Sequence, residues 1–119
     1  MLTLGMITFD TSDALELSKW WADQLDGQVV EENDGYFCIV KTPMLPVPLA
    51  FQLVEKPSDG KNRIHLDLAA TSSAGGREPV VARLLAGGAS LVDQQRMEGF
   101  AWDVLRDPHG NIFCVSDPH

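Results

Sequence analysis

The sequence repeats one local pattern, a helix that stops at glycine and is followed by a strand, at an interval of about sixty residues. The first copy occupies residues 25–30 (LDGQVV) and the second occupies residues 85–92 (LAGGASLV). Half of this 119-residue chain is too short to bury its own sheet. The pattern therefore predicts a single domain made of two repeats, at about residues 1–57 and 61–119.

The first half reads as a strand, a helix and three further strands. A strand at residues 4–9 precedes a helix whose start is marked by Asp13, with Glu16 three residues later. Apolar residues then recur at helical spacing until Gly27 stops the helix. Strands are predicted next at residues 28–32, 36–42 and 49–55.

The second half has the same order of elements. A strand at residues 63–70 leads through a Ser- and Gly-rich loop into a helix at residues 78–86. Further strands are predicted at residues 90–94, 101–106 and 111–116. The chain is thus expected to be an α+β protein of two βαβββ modules. Two curved mixed sheets of this kind would leave a concave cleft, which is where small-molecule sites are usually found.

Charge and composition exclude several classes of partner. The net charge of −8 argues against nucleic acid and against an anionic membrane surface. No apolar run approaches the roughly 20 residues of a membrane span, and no secretion signal is visible. Cys38 and Cys114 lie in apolar, strand-like runs and are expected to be buried, reduced thiols. These features predict a cytoplasmic protein.

His65 and Asp67 form the most suggestive polar pair. Side chains alternate between the two faces of a strand, so these two residues share the face opposite to Leu66. An imidazole beside a carboxylate can be a metal ligand, a general base or a hydrogen-bonding anchor for a ligand. The pair can equally serve only to stabilise the sheet.

Three further residues are candidates for the same cleft. Gln52 lies on a partly apolar strand face, where an amide can bind a ligand, a backbone group or a water. Trp102 either walls a pocket or packs in the core. Cys114 can pair with His65 only if their two strands adjoin, which the sequence does not show. His109 and His119 are expected to lie in solvent, and no C-x-x-C or H-E-x-x-H spacing is present.

Four stretches of the chain resemble the vicinal oxygen chelate superfamily, which contains glyoxalase I, the bleomycin-resistance proteins and the extradiol dioxygenases. They are residues 4–10, 20–27, 63–68 and 102–113. The last stretch is a hairpin in which Pro108 sets the first corner of the turn and Gly110 can take the positive φ that closes it. The resemblance covers essentially the whole chain and is closest to the short glyoxalase-like domain group.

The resemblance also implies where metal ligands would stand. Metal-dependent members carry one His, Glu or Gln ligand on each of four strands. The matching positions here are Leu4, Gln52, His65 and Cys114. At the position of Cys114 the metal-dependent members usually have a Glu. Leu4 cannot bind a metal, so the resemblance implies that the glyoxalase I site is dismantled. The alternative is a divalent ion (Zn, Ni, Mn or Fe) held by His65 and Gln52.

The sequence and the resemblance together predict a glyoxalase-like protein that binds a small organic molecule without a tightly held metal. The predicted cleft residues are Gln52, His65, Asp67, Trp102 and Cys114. The resemblance also implies a homodimer. The alternatives are a metal-dependent lyase, isomerase or dioxygenase, and a dimeric module whose cleft is filled by its own side chains. The identity of the ligand and the existence of turnover are left open.

Overall fold

The computed structural model describes all 119 residues as two helices and eight strands. In chain order the elements are β1 (Ile7–Thr11), α1 (Ala14–Gln24), β2 (Gln28–Glu31), β3 (Phe37–Lys41), β4 (Leu49–Leu53), β5 (Leu66–Ala69), α2 (Arg77–Ala86), β6 (Ser90–Met97), β7 (Phe100–Arg106) and β8 (Ile112–Ser116). They form two compact units, Met1–Asp59 and Gly60–His119, each with the order βαβββ. The predicted α+β class is confirmed, because each unit holds one helix and an open, mixed sheet of four strands.

The first unit has the strand order β1-β4-β3-β2, with β1 parallel to β4. Helix α1 starts where the sequence predicts, because the Asp13 carboxylate accepts a hydrogen bond from the backbone N–H of Glu16 at 3.1 Å. Trp21 on this helix is buried, and its ring centroid lies 5.7 Å from that of Phe9. The Phe9 ring in turn lies 5.1 Å from that of Phe51. The helix therefore covers the sheet face that carries these aromatic rings.

The second unit repeats this topology with the strand order β5-β8-β7-β6. Helix α2 contacts β8 and β6 and buries Val81 and Leu84. Along β8, Phe113 and Val115 alternate with Cys114, and all three side chains are buried. One face of the sheet therefore packs under α2, and the other face is available for a site.

An ionic network ties the start of α2 to the second sheet. Arg77 Nη1 donates to Asp103 Oδ2 at 2.9 Å, and its Nε donates to Asp117 Oδ1 at 3.0 Å. Asp103 also accepts a hydrogen bond from Gln94 Nε2 at 3.2 Å, and Asp117 accepts one from the backbone N–H of Ala101 at 2.8 Å. Arg77 and Asp103 are 8% and 2% exposed, so the network is part of the core.

Asp117 makes part of the stability depend on pH. The backbone N–H of Ala101 holds the pKa of this carboxyl below its ordinary value of 3.8, partial burial opposes that effect, and Arg77 lowers the pKa further. A carboxyl with a lowered folded-state pKa stabilises the protein above its unfolded-state pKa, and the contribution is lost as the pH falls through the folded-state value. We therefore expect the unfolding free energy of the wild type to fall more steeply below about pH 4 than that of Asp117→Asn.

Urea denaturation across the acid range measures this difference. Asp59→Asn is the matched control, because Asp59 is exposed and has no hydrogen bond or ion pair in the structure. It should keep the slope of the wild type. Identical slopes for the wild type and Asp117→Asn would show that this carboxyl is not linked to folding.

The turn between β7 and β8 is built around one buried carboxylate. Asp107 Oδ1 accepts hydrogen bonds from the backbone N–H groups of His109 and Asn111, at 2.9 and 3.0 Å. Its Oδ2 accepts one from Asn111 Nδ2 at 2.8 Å. Gly110 has a φ of 91°, as the turn requires. The predicted hairpin is confirmed, and its turn sets Arg106 opposite Ile112.

The first strand begins later than the sequence predicts. β1 runs from Ile7 to Thr11, so the predicted start at residue 4 is wrong, and Leu4 lies outside the strand with 64% of its surface exposed. The pairing partner explains the difference. The backbone N–H of Ile7 donates to the carbonyl of Pro48, and the segment before that residue contains two more prolines, which have no N–H to extend the ladder.

The fifth strand is also shorter than predicted. β5 begins at Leu66 rather than at residue 63. The partner positions on β8 are already taken, because the side chain of Asn62 binds both backbone groups of Ile112. Asn62 Oδ1 accepts the Ile112 N–H at 2.7 Å, and its Nδ2 donates to the Ile112 carbonyl at 3.1 Å. A side-chain amide thus replaces one rung of the ladder.

Neither helix has the length and apolar character that a membrane span requires.

Candidate ligand-binding cleft

A cavity of about 670 Å³ lies on the sheet of the second unit. Its walls come from β5, β6, β7, β8 and the segments beside them. The lining residues are Lys61, His65, Asp67, Leu68, Val92, Asp93, Gln95, Phe100, Trp102, Val104, Arg106, Ile112, Cys114, Ser116 and His119. Cys114 and Val104 belong to the face opposite to that of Phe113, so the cavity lies on the face that does not pack under α2.

Strand register arranges these residues in rows across the face. Asp67, Cys114, Val104 and Asp93 form the central row, because each is the register partner of the next. Ser116, Trp102 and Gln95 form the row on one side of it. Ile112 and Arg106 form the row on the other side. Each row is about 7 Å from the next, the spacing of residues two apart along a strand.

His65, Asp67 and Cys114 meet at the β5 side of the cavity. His65 Nδ1 lies 2.9 Å from Asp67 Oδ1, and the ligand atoms of all three residues lie within 4.8 Å of one another. The side chains of His65 and Asp67 are 35% and 74% exposed, and Cys114 is buried. The structure thus brings the predicted pair together, and it shows that β5, which begins directly after His65, adjoins the strand of Cys114.

The Cys114 thiol is held in its protonated form. Burial raises the pKa of this thiol, and the negative charge and hydrogen bonding of Asp67 raise it further. The Lys61 ammonium opposes these effects on the pKa only in part. A thiol in such surroundings is a weak hydrogen-bonding group rather than a nucleophile.

Aromatic side chains line one end of the cavity, which we call the aromatic end. The half-buried Trp102 ring has its centroid 6.3 Å from that of Phe100, and the Phe100 ring lies 5.7 Å from the ring of His119. Ser116 Oγ lies 3.2 Å from His119 Nε2. Trp102 therefore walls the cavity.

The two remaining histidines differ in their surroundings. His119 is exposed as predicted, and it also borders the cavity. His109 is half-buried in the turn rather than fully in solvent.

Gln52 and Leu4 belong to the first unit. Gln52 is exposed on β4, opposite Asp10 on β1 and Phe37 on β3. Because Leu4 precedes β1, it cannot be the residue that this strand presents beside β4. The residues of β1 on the face of Gln52 are Thr8 and Asp10. The sequence-based assignment of Leu4 as the first-strand position is therefore wrong, and a carboxylate stands beside Gln52 instead.

Several cavity residues were not predicted, and three of them, Val92, Asp93 and Gln95, lie on β6. This strand continues to Met97, beyond the predicted end at residue 94, and a bulge between Leu91 and Asp93 shifts its register. Because of this bulge, the alternation of side chains along the whole of β6 does not show which of them face the cavity. Beyond the bulge the alternation holds, and Asp93 and Gln95 both line the cavity. Arg106 could have been found, because it shares a predicted strand face with Trp102.

The donor set of the cluster suits a metal ion in type. An imidazole, a carboxylate and a thiolate are all zinc ligands, and catalytic zinc sites use three protein ligands. Two features oppose binding in the observed arrangement. Asp67 is already hydrogen-bonded to His65, and the raised pKa of Cys114 means that the ion must displace a proton from the thiol.

The chain belongs to the glyoxalase-like domain family, whose sequence pattern matches residues 6–116. The two-module fold places it in the vicinal oxygen chelate superfamily, so the resemblance seen in the sequence is confirmed. No curated protein sequence matches the chain.

Solved structures share the fold at low sequence identity. A glyoxalase/bleomycin resistance protein/dioxygenase family enzyme from Burkholderia phytofirmans PsJN is 19% identical, with a TM-score of 0.75 over 94% of this chain and 95% of that one. The fosfomycin resistance protein FosX from Listeria monocytogenes is 11% identical, with a TM-score of 0.77 over 98% and 93%. The oxidase ChaP-H2 is 17% identical, with a TM-score of 0.64 over 97% and 92%. At such identities the likeness establishes the fold alone.

Proposed function

We propose that the protein binds a small organic molecule in the cavity of its second unit, without a tightly held metal ion. The observation that carries this proposal is the cavity itself. Its volume of about 670 Å³ lies within the usual range for small-molecule sites, and Val104, Ile112 and Cys114 give it an apolar floor. Polar groups stand around that floor, as they do in sites that orient a ligand.

His65 is the proposed polar anchor of the ligand. Its Nδ1 is engaged by Asp67 at 2.9 Å, which leaves Nε2 for a ligand atom. The carboxylate thereby fixes the orientation of the ring. Trp102 supplies apolar contact area, and Cys114 supplies part of the floor. Gln52, which the sequence also predicts as a ligand contact, is exposed on β4 of the first unit and does not line this cavity.

We expect His65→Ala to weaken ligand binding by at least about tenfold, the cost of losing one good polar anchor. Isothermal titration with the best binder from a fragment screen measures the change in affinity. Stability should change little, because His65 and its partner Asp67 are both partly exposed. His109→Ala is the matched control, since His109 lies outside the cavity. Unchanged affinity together with a large loss of stability would assign the pair to the sheet alone.

Metal-assisted chemistry is the second candidate, and the cluster of His65, Asp67 and Cys114 favours it. An ion held there would polarise oxygen atoms of a substrate. Elemental mass spectrometry on protein purified without chelator separates the two candidates. Near-stoichiometric zinc, nickel, manganese or iron would favour the second, and a metal-free protein that still binds fragments would favour the first.

The family resemblance further supports a homodimer, and sedimentation analysis tests this. The two free, buried cysteines suit a reducing compartment, which supports the predicted cytoplasmic location.

A further inference from the structure

The charged groups of the cavity differ in whether the protein itself satisfies them. Asp67 is engaged by His65 at 2.9 Å. Asp93 accepts hydrogen bonds from the backbone N–H of Gln94 at 2.8 Å and from Gln95 Nε2 at 2.7 Å. Lys61 and Arg106 line the same cavity, and neither forms an ion pair or a side-chain hydrogen bond within the chain. Among the charged groups of the cavity, the two cations are therefore the ones whose hydrogen-bond donors the protein leaves unused.

The two cations serve the same end of the cavity, which we call the cation end. Arg106 is the register partner of Ile112 on the β7 side of β8. On the other side of β8, the side chain of Asn62 binds the backbone of Ile112 and thereby holds the neighbouring Lys61 beside it. Lys61 and Arg106 thus flank one residue of the floor. An acidic group above Ile112 could be contacted from both sides.

The aromatic end lies opposite to the cation end on the same face. Trp102 and Arg106 are both on β7 with Val104 between them, and their Cα atoms are about 14 Å apart at the rise of an antiparallel strand. Their side chains reach into this span, and the floor between them is apolar. The surface therefore offers ring contact at one end, an apolar middle and unpaired positive charge at the other end.

We propose that the ligand is an organic anion with a flat ring, the ring lying against Trp102 and the acidic group bound by Lys61 and Arg106. This inference rests on the proposed function. The chain as a whole carries a net charge of −8, so the positive charge of the cation end is a local feature. It acts on a ligand bound in the cavity, because salt screens charges that are more than about 10 Å apart. A guanidinium and an ammonium together favour a carboxylate or another oxyanion through charge-assisted hydrogen bonds.

A pair of probes of matched shape and opposite charge tests the proposal. NMR titration of the full-length, chelator-treated protein with 2-naphthoate and with 2-naphthylmethylammonium gives both dissociation constants. We expect the anion to bind at least about tenfold more tightly than the cation. Equal or tighter binding of the cation would overturn the proposed anion while leaving cavity binding intact. If neither probe binds although other fragments bind the cavity, the proposed anion fails and the proposed function stands. If no fragment binds either, both fail.

Substitutions then locate the preference. Lys61→Gln combined with Arg106→Gln should bring the two affinities within about threefold of each other. Arg63→Gln is the matched control, since Arg63 is an exposed cation in the same segment but does not line the cavity, and it should keep the wild-type ratio. Trp102→Leu should weaken both probes alike. A preference for the anion that survives the double substitution would show that Lys61 and Arg106 do not bind the acidic group.

Discussion

Replacing Arg77 with alanine is expected to lower the free energy of unfolding by about 3–5 kcal/mol. The guanidinium is the only cation in contact with Asp103, which is 2% exposed, and it also binds Asp117. Without it, Asp103 keeps only the amide of Gln94 and becomes a buried charge without a counter-ion. Such a loss is a large fraction of the roughly 5–15 kcal/mol that stabilises a typical domain. Chemical denaturation measures it.

Two further variants make this prediction specific. Arg83→Ala removes an exposed arginine from the same helix and should change stability by less than about 1 kcal/mol. Replacing Arg77 by methionine and Asp103 by leucine together should recover much of the loss, because apolar groups need no counter-ion. A loss below about 1 kcal/mol for Arg77→Ala would show that water reaches Asp103 and that the network is not part of the core.

Asp107→Ala is expected to cost about 2–4 kcal/mol, because the substitution leaves the donors around this buried carboxylate without an acceptor. These donors are the backbone N–H groups of His109 and Asn111 and the side-chain amide of Asn111. The same turn sets the register of β7 against β8, which places Trp102 opposite Ser116 in the cavity. Asp107→Ala should therefore also weaken binding of any ligand that contacts Trp102.

Denaturation and fragment titration of the same samples measure both effects. Asp107→Asn should fall between the wild type and the alanine variant, since it keeps one oxygen acceptor but loses the charge. Asp59→Ala is the control, because Asp59 is an exposed aspartate that does not line the cavity, and it should change stability by less than about 1 kcal/mol and leave fragment binding unchanged. Wild-type stability of Asp107→Ala would mean that the turn holds without its carboxylate.

Local signals in the sequence predicted the elements that depend on a few neighbouring residues. The cap at Asp13 defines the start of α1, and the turn around Gly110 defines the last hairpin, because these features are satisfied within one segment. The limits of β1 and β5 could not be read in the same way. The start of β1 depends on Pro48, whose carbonyl accepts the hydrogen bond of Ile7 from far along the chain. The start of β5 depends on Asn62, whose side chain binds Ile112 in place of a strand residue.

The candidate site shows the same division between local and long-range information. Alternation within one strand was enough to place His65 and Asp67 on a common face. Cys114 joined them only through the pairing of β5 with β8, and that pairing depends on the topology. The importance of Arg77 was invisible, since nothing in its local sequence indicates that an arginine is buried between two carboxylates.

Relatives in structure do not decide the chemistry of this chain. Solved structures with this fold that are 11–19% identical to the chain include a fosfomycin resistance protein and an oxidase. One fold therefore carries different activities, and only the side chains in the cavity can distinguish them. Here those side chains include a protonated thiol, an anchored imidazole and two unpaired cations.

The most direct test of the central proposal is an NMR fragment titration of nitrogen-15-labelled protein that has been stripped of metal. The indole N–H of Trp102 and the backbone amides of Val104 and Cys114 report on the cavity. If the proposal is correct, fragments shift these signals in a saturable way without any added metal. Fragments that shift them only after zinc, nickel, manganese or iron is added, or that shift none of them, would contradict it.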